Sequence, residues 1–427
     1  MRILVVGGGG REHALCWALH RDDPAATLFA APGNPGTATL ATTLPIASDD
    51  VAGLVRVARD QRIDLVVVGP EAPLAAGLAD RLRTDGRPVF GPDATAARLE
   101  ASKAFAKDVM AAAGVPTATS RTFTDPAAAR DHIGRHAEPL VVKASGLAAG
   151  KGAVVCATRA EAAATARAML TDGALGAAGR EIVVEEFLEG EELSVLALTD
   201  GDRVLLLPAA QDHKRLGAGD TGPNTGGMGA YCPVGMATQA LLARVRHEVL
   251  EPTLDEMRRR GAPYRGVLYA GLMVASDGTP NVLEFNCRFG DPETQAVLPV
   301  LPPGMTTHLA GIAMGDWRPG TDLLTPTGAA VTTVLAAQGY PDHPEKGATI
   351  TVPDLGPEVL LFHAGTARDA DGTLHVAGGR VFGVTGLGPT VAGAAERSRA
   401  AAGAISFAGK TFRPDIGWRE LQRAGAA

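Results

Sequence analysis

Hydrophobic positions along the chain come in two rhythms. Ile3-Leu4-Val5-Val6 is a short apolar run that meets Gly7 to Gly10, the pattern of a buried strand entering a tight turn. From Glu12 to His20, Ala14, Leu15, Ala18 and Leu19 recur at helical spacing, which predicts a helix with one apolar side. The same alternation continues with strands predicted at Thr27 to Ala31, Leu65 to Val68 and Val89 to Phe90, and helices over Val51 to Asp60 and Leu74 to Thr84. Strands alternating with helices predict a parallel α/β domain, here residues 1–101. Each strand runs into a loop rich in glycine and proline: Gly7 to Gly10, Pro32 to Gly36, Gly69-Pro70-Glu71, Gly91-Pro92-Asp93. Open α/β sheets bind ligands at the carboxyl ends of their strands, so these loops mark a pocket.

A different pattern starts at Ser102, which reads as the N-cap of a helix carrying Phe105 and Val109 and stopped by Gly114, with Pro116 beyond. Strands at Leu140 to Lys143, Gly152 to Cys156 and Ile182 to Glu185 surround a helix at Arg159 to Leu170. Apolar runs follow at Leu193 to Leu198, Val204 to Leu207 and Leu268 to Val274. This centre, 102–320, reads as α+β, with a mobile lid subdomain near 122–190. After residue 320 the pattern becomes short strands and glycines, then an alanine-rich helix near Val391 to Ala404, predicting a small α+β domain over 321–427. The expected fold class is a multidomain α/β and α+β protein.

Composition narrows the function classes. The 427 residues are 46% hydrophobic and 20% charged, ordinary for a globular protein of several domains. A net charge of −7 without a basic tract speaks against a nucleic-acid surface. The first strand is too short for a signal peptide and no long apolar run follows, so a cytoplasmic protein with no membrane partner is expected. Cys16, Cys156, Cys232 and Cys287 are far apart and form no Cys-x-x-Cys, as befits reduced packing thiols. Basic residues comprise 33 arginines and only 7 lysines. In such a chain a lysine marks a place that needs a compact ammonium, and Lys103, Lys143, Lys151 and Lys214 all fall in motif-like segments.

Three segments carry candidate chemistry. Glu284 and Asn286 close the strand predicted over Asn281 to Phe285, and a period of two puts both oxygen donors on one face with Phe285 on the other. Such a pair suits a Mg²⁺ or Mn²⁺ ion that completes its shell with water and substrate phosphate. The loop Gly146-Leu147-Ala148-Ala149-Gly150-Lys151-Gly152 beside Lys143 offers backbone amides and ammonium charge to phosphates. It is not a P-loop, because Gly152 stands where that motif needs Ser or Thr. Glu185 to Glu192 forms an acidic connector whose backbone and apolar side chains can face a purine while Glu192 accepts ribose hydroxyls. Each segment also has a plain structural reading: a polar turn after a strand, a hairpin, a charged surface connector.

Taken in order and spacing, Lys103, Lys143 with its glycine loop, the acidic connector and the Glu284/Asn286 pair resemble the ATP-grasp superfamily. Within it the chain resembles the phosphoribosylamine–glycine ligase family nearly end to end. The resemblance rests on Gly9 to Leu15, Ala31 to Asn34, Gly69 to Leu74, Ser102-Lys103, Gln211 to Arg215, Asp220 to Tyr231 and Glu284 to Thr294. Ser145 stands where many bacterial members carry Asp, and Gly8 replaces an Asn common in the first loop; both bear on fine tuning of the lid and the first turn.

The resemblance implies a central ATP-grasp fold and an ATP-dependent ligation of glycine to 5-phosphoribosylamine through a glycyl phosphate, by a monomer. ATP would be held by Lys103, Lys143, Gly146, Gly150, Lys151, Gly152, Glu185, Glu186, Phe187, Leu188 and Glu192, and the Mg²⁺ or Mn²⁺ by Glu284 and Asn286. Arg288, Asp212 and Lys214 would be catalytic. Gly9, Gly10, Asn34, Glu71, Thr225 and Gly226 would bind substrate, with the phosphate of the amine at the helix opening behind Gly9-Gly10. His13 and His213 are expected in packing or hydrogen-bonding duty, since an amine attacking an acyl phosphate needs little activation.

Three other function classes share parts of this pattern. A nicotinamide dehydrogenase fails because its third glycine would fall on Glu12 and the second strand ends in Ala30-Ala31 without an acid. A biotin-type carboxylase would lack amine dependence. A nucleotide-binding regulator would hold ATP without turning it over.

Overall fold

The computed structural model describes residues 1–148 and 150–425; Ala149 of the glycine loop and 426–427 lie outside the described residues. The first five strands form one parallel sheet in the order Thr42–Thr43, Thr27–Pro32, Arg2–Gly7, Leu65–Val68, Val89–Phe90. Alternation along the first strand divides its side chains between two cores. Ile3 and Val5 pack with Ala14, Leu15 and Leu19, whereas Leu4 and Val6 pack with Leu54, Leu78 and Leu82, as a strand covered on both faces requires. The helix expected over Leu74 to Thr84 is two helices, Glu71–Ala75 and Leu78–Thr84, separated at Gly77. Gly77 has φ +82°, a left-handed conformation that ends one helix and that apolar periodicity does not report.

Ser102 caps the helix Lys103–Ala113 by accepting from the Phe105 amide, and Gly114 closes it at φ +67°. The segment expected to act as a lid holds an antiparallel sheet in the order Ser120–Phe123, Ile182–Glu186, Leu140–Ala144, Ala153–Cys156. Helices Pro126–Ile133 and Arg159–Leu170 contribute to its own core of Ile133, Leu140, Val142, Met169, Ile182 and Val184. A second antiparallel sheet, Val204–Leu206, Glu191–Thr199, Gly266–Val274 and Pro280–Asn286, shares both large cores with the first domain. Behind it lies a helical stretch, Gln239–Arg259, that passes through six residues of π-helix at Val245–Leu250.

The last large sheet runs Gln211–Asp212, Gly229–Cys232, Ala329–Ala336, Arg380–Gly388, Val359–His363, with helix Val391–Ala404 packed on it. Two of its strands come from the central segment, so Asp212 stands on a sheet completed by residues 329–388. Two strands beyond residue 320 have eight and nine residues, longer than the glycine-interrupted pattern suggested.

Candidate active site

Strand Pro280–Asn286 pairs with Gly266–Val274, and the register slips at Leu283: Gly271 faces Glu284 while Leu272 faces Val282. This bulge re-aims the chain. It lets Val282 and Phe285, three residues apart, join one core, and it leaves the Leu283 carbonyl to accept from Lys143 Nζ at 2.9 Å. Burial works against ionisation of Glu284, but Lys214, Lys103, Lys143 and Arg288 together hold its carboxyl below the usual range. Among the described residues no cation contacts Glu284 as an ion pair, and Asn286 is buried beside it. No cluster of three or more His, Cys, Asp or Glu suited to a metal occurs among the described residues. One carboxylate and one amide oxygen amid cations fit a hard ion that brings phosphate with it, and do not fit zinc.

Lys143 lies on lid strand Leu140–Ala144 with its ammonium 2.8 Å from Glu185, which is 2% exposed. Lys107, on the helix Ser102 caps, approaches the other oxygen of the same carboxylate at 3.2 Å and donates to Thr117 Oγ1 and the Ala118 carbonyl. Burial lowers the Lys107 pKa, with Glu185 opposing. Ser145, next to the loop, joins lid to helix: its carbonyl accepts from the Lys103 amide at 2.8 Å and its hydroxyl from Ala104 at 3.1 Å.

In the connector, Glu186 accepts from the Thr119 amide at 2.6 Å, Phe187 is exposed and Leu188 half-buried. Glu192 meets Lys214 Nζ at 2.6 Å. Burial opposes the charge on Lys214, but Glu192, Glu284 and Asp212 raise its pKa strongly. Asp212 is next. Burial and Glu293 push its carboxyl well above the ordinary range, and its Oδ1 has no hydrogen-bond partner. The neighbouring Glu293 is held by Tyr269 and, at 3.3 Å, by Ser194.

The lid loop reaches across to this corner. A Cβ on Gly150 would lie 3.6 Å from the Thr225 carbonyl, and Lys151 Nζ is 3.1 Å from Asp342. Thr225 Oγ1 accepts from Gly227 and donates to the Lys214 carbonyl, while the Gly226 amide donates to Tyr340 OH at 3.0 Å. Arg380 donates to the Gly226 and Asp291 carbonyls and pairs with the Asp291 carboxylate at 3.1 Å.

Arg288 sits between Glu71 at 3.2 Å and Glu100 at 2.9 Å, both on the first domain, and pairs with neither Asp291 nor Glu293, which stand closer to it in sequence. Burial opposes its charge, but both acids keep Arg288 firmly protonated; burial raises the Glu100 pKa, whereas Arg288 and Arg11 hold Glu71 below the usual range despite burial. The Gly9 amide is taken by Glu12 at 2.6 Å, and Glu12 also accepts from Arg11. A Cβ at Gly69 would come within 2.1 Å of Glu12, so this carboxylate packs against bare backbone. Asn34 spends its side chain on the turn, donating to the Gly8 and His363 carbonyls and accepting from the Gly36 and Thr37 amides. A Cβ at Gly8 would meet the Gly33 carbonyl at 2.6 Å, a close approach that goes with glycine at that position. Burial pulls His13 down to about 3 and His213 to about 4. His13 Nδ1 accepts from the His363 amide, and His213 Nε2 from the Gly417 amide.

The structure thus brings Lys103, Lys143, Lys214, Arg288, Glu284 and Asn286 together, with the connector and the Asp212 corner on one side and Glu71 on another. Sequence reasoning missed Lys107, Glu100 and Arg380. The scarcity of lysine would have found Lys107; Glu100 and Arg380 lie in no recognisable motif.

Three family models cover most of the chain: the phosphoribosylglycinamide synthetase N domain over residues 1–100, its ATP-grasp (A) domain over 101–294 and its C domain over 330–419. A phosphoribosylamine–glycine ligase of Nostoc is 48% identical, covering 98% of this chain and 99% of its own. That of Brucella melitensis is 46% identical over all of both chains. The trifunctional purine biosynthetic protein adenosine-3 of Gallus gallus is 47% identical, and there the match spans 42% of the longer protein. The crystal structure of the Thermotoga maritima phosphoribosylamine–glycine ligase superposes with a TM-score of 0.87 at 35% identity, covering 97% of this chain and 100% of that one. The biotin carboxylase domain of a Hydrogenobacter thermophilus carboxylase, TM-score 0.75 at 18% identity over 96% of this chain and 91% of that one, shares the fold. On these matches, which run through all three domains, the chain belongs to the phosphoribosylamine–glycine ligase family of ATP-grasp proteins.

Proposed function

We propose that this protein ligates glycine to 5-phosphoribosylamine with ATP, giving glycinamide ribonucleotide, ADP and phosphate in purine biosynthesis. The observation that carries the reading is a carboxylate, Glu284, held ionised by four cations and contacted by none of them, where the lid, the connector and the first domain meet. In the first step a glycine carboxylate oxygen attacks the γ-phosphorus and ADP departs, leaving glycyl phosphate. In the second, the amine nitrogen of phosphoribosylamine attacks the acyl carbon, phosphate departs and the nitrogen loses a proton. Both steps depend on alignment and on absorbing charge.

Lys103 and Lys143 face the triphosphate, with Gly146, Gly150, Lys151 and Gly152 closing over it. Glu186 to Leu188 border the adenine and Glu192 the ribose. Lys214 and Arg288 neutralise charge on the transferring group. Asp212, whose unpartnered oxygen lacks a donor, accepts from the glycine ammonium near Thr225 and Gly226. The Gly9-Gly10 turn and Glu71 border phosphoribosylamine, with Asn34 shaping that turn from behind. Glu284 and Asn286 would hold a divalent ion, Mg²⁺ or Mn²⁺, which supplies Lewis-acid charge to the phosphate oxygens. No described helix is long and apolar enough to cross a membrane, and we take the protein to act on these small molecules as a cytoplasmic monomer.

The test is ADP release with each substrate omitted in turn, joined to oxygen-isotope scrambling in ATP. Full turnover needing both glycine and freshly made phosphoribosylamine, with scrambling supported by glycine alone, is the expected result. Turnover that ignores the amine would overturn it.

A further inference from the structure

The helix Trp418–Gly425 lies far along the chain from the nucleotide connector, yet its Arg423 pairs with the connector's Glu191. Arg423 is oriented by Glu420 on its own helix at 2.6 Å, and Glu420 in turn accepts from the Gly235 amide at 2.9 Å. Glu191 passes the contact on. It accepts from Gln211 Nε2 at 2.8 Å, and the same nitrogen donates to the Glu192 carbonyl at 2.6 Å. Gln211 is 1% exposed, and its amide oxygen accepts from the wholly buried Tyr231 at 2.6 Å. Its amide cannot turn without breaking these bonds. The backbone of Glu192, whose carboxylate meets Lys214, is therefore set by a chain of bonds that starts on Arg423.

A second anchor runs parallel. Arg413, the largest fully buried side chain, pairs with Asp220 at 2.8 Å and Asp415 at 2.7 Å and donates to the Arg215 carbonyl. Asp220 also receives Arg419 and has φ +56°, unusual for a residue with a Cβ. This fixes the hairpin between Lys214 and Thr225 from the same segment.

We propose that Arg423 is a positioning residue for the nucleotide site, acting through Glu191 and Gln211 on Glu192. This deepens the functional reading above and rests on it for the identity of the nucleotide. The ribose end of ATP is remote from the transferred phosphoryl group, so loosening it removes binding that ground state and transition state share.

The experiment compares Arg423→Gln, Glu191→Gln and the double variant in ADP release at varied ATP, and in calorimetric binding of a non-hydrolysable ATP analogue. Each single change is expected to raise KM for ATP about tenfold with kcat within about twofold, since small misplacement of a binding group weakens it at this scale. The double variant should be no worse than the poorer single, because both break one chain, and Arg423→Lys should recover part of the loss. Unchanged KM in Arg423→Gln, additive losses, or a fall in kcat with melting temperature and no change in analogue affinity would each overturn the proposal. Analogue binding needs no co-substrate, so failure of the ligase reading would show as turnover without amine dependence while the coupling is still measured.

Discussion

Glu185 and Glu284 are two carboxylates with Lys143 as a common neighbour, and they are used in opposite ways. Glu185 is in contact with Lys107 and Lys143 and almost wholly buried. Its charge is spent inside the protein, where it holds Lys143 at a fixed point. Glu284 has Lys214, Lys103, Lys143 and Arg288 around it and touches none of them as an ion pair. Its charge is kept ionised at a distance and its oxygens stay free for a ligand. A saturated carboxylate orients its partners; an unsaturated one is open to a ligand. The difference follows from elements: Glu185 meets Lys143 on the neighbouring strand and Lys107 on the helix Lys103–Ala113, whereas Glu284 directly follows the bulge in its own strand.

Removing the free carboxylate should have the largest effect. Glu284→Ala is expected to fold normally and lose about 10²-fold or more in turnover, and activity unchanged across a Mg²⁺ titration would break the contrast. Lys143→Arg comes next. The ammonium is wedged between Glu185 and the Leu283 carbonyl, so a guanidinium should be misplaced by about 1 Å and cost on the order of 10²-fold in turnover, at near wild-type melting temperature. Normal turnover would show that charge alone suffices there. Glu185→Gln should act on stability first, since it strips the shared partner from two buried ammoniums, at a cost of about 3 kcal/mol read by chemical denaturation. A variant as stable as wild type would make Glu185 a ligand group like Glu284.

Acid titration offers a smaller signal. The folded pKa of Glu284 lies below its usual 4.5, so the ionised group adds stability that is fully present above pH 4.5 and is lost as pH falls through the folded value. Glu284→Gln should therefore lie furthest below wild type in stability near neutrality, and the two curves should converge in acid. A gap independent of pH would mean that the surrounding cations do not act on this carboxylate. The smallest effect concerns the lid. Hydrogen exchange at Gly146 and Gly150 to Gly152 should slow when an ATP analogue binds, and equal exchange in both states would make the loop a static wall.

Much of the scaffold was legible along the chain. The strands Leu65–Val68 and Val89–Phe90 and the helices Val51–Asp60 and Arg159–Leu170 begin and end where apolar period and punctuation put them, because burial on one or two faces imposes those periods directly. The cap at Ser102 and stop at Gly114 were equally local. The split at Gly77 was not, since periodicity continues through a residue that only its backbone angle distinguishes. In the site, Glu284, Asn286, Lys143 and Lys214 could be picked out by residue type and spacing, as their chemistry is unusual for their surroundings.

What the amino-acid order determined by itself was the inventory: which strands end in glycine loops, which lysines are out of place in an arginine-rich chain, and which two oxygens share a strand face. Only the tertiary structure decided the pairings. Arg288 met Glu71 and Glu100 instead of its sequence neighbours, Lys107 joined Lys143 on one carboxylate, and from the last domain Arg380 reached Asp291 and Arg423 reached Glu191. The physical reason is range. Apolar periodicity is set by each segment's own burial, whereas an ion pair depends on where two distant segments are packed, and a side chain carries no mark of the partner that the fold will bring to it.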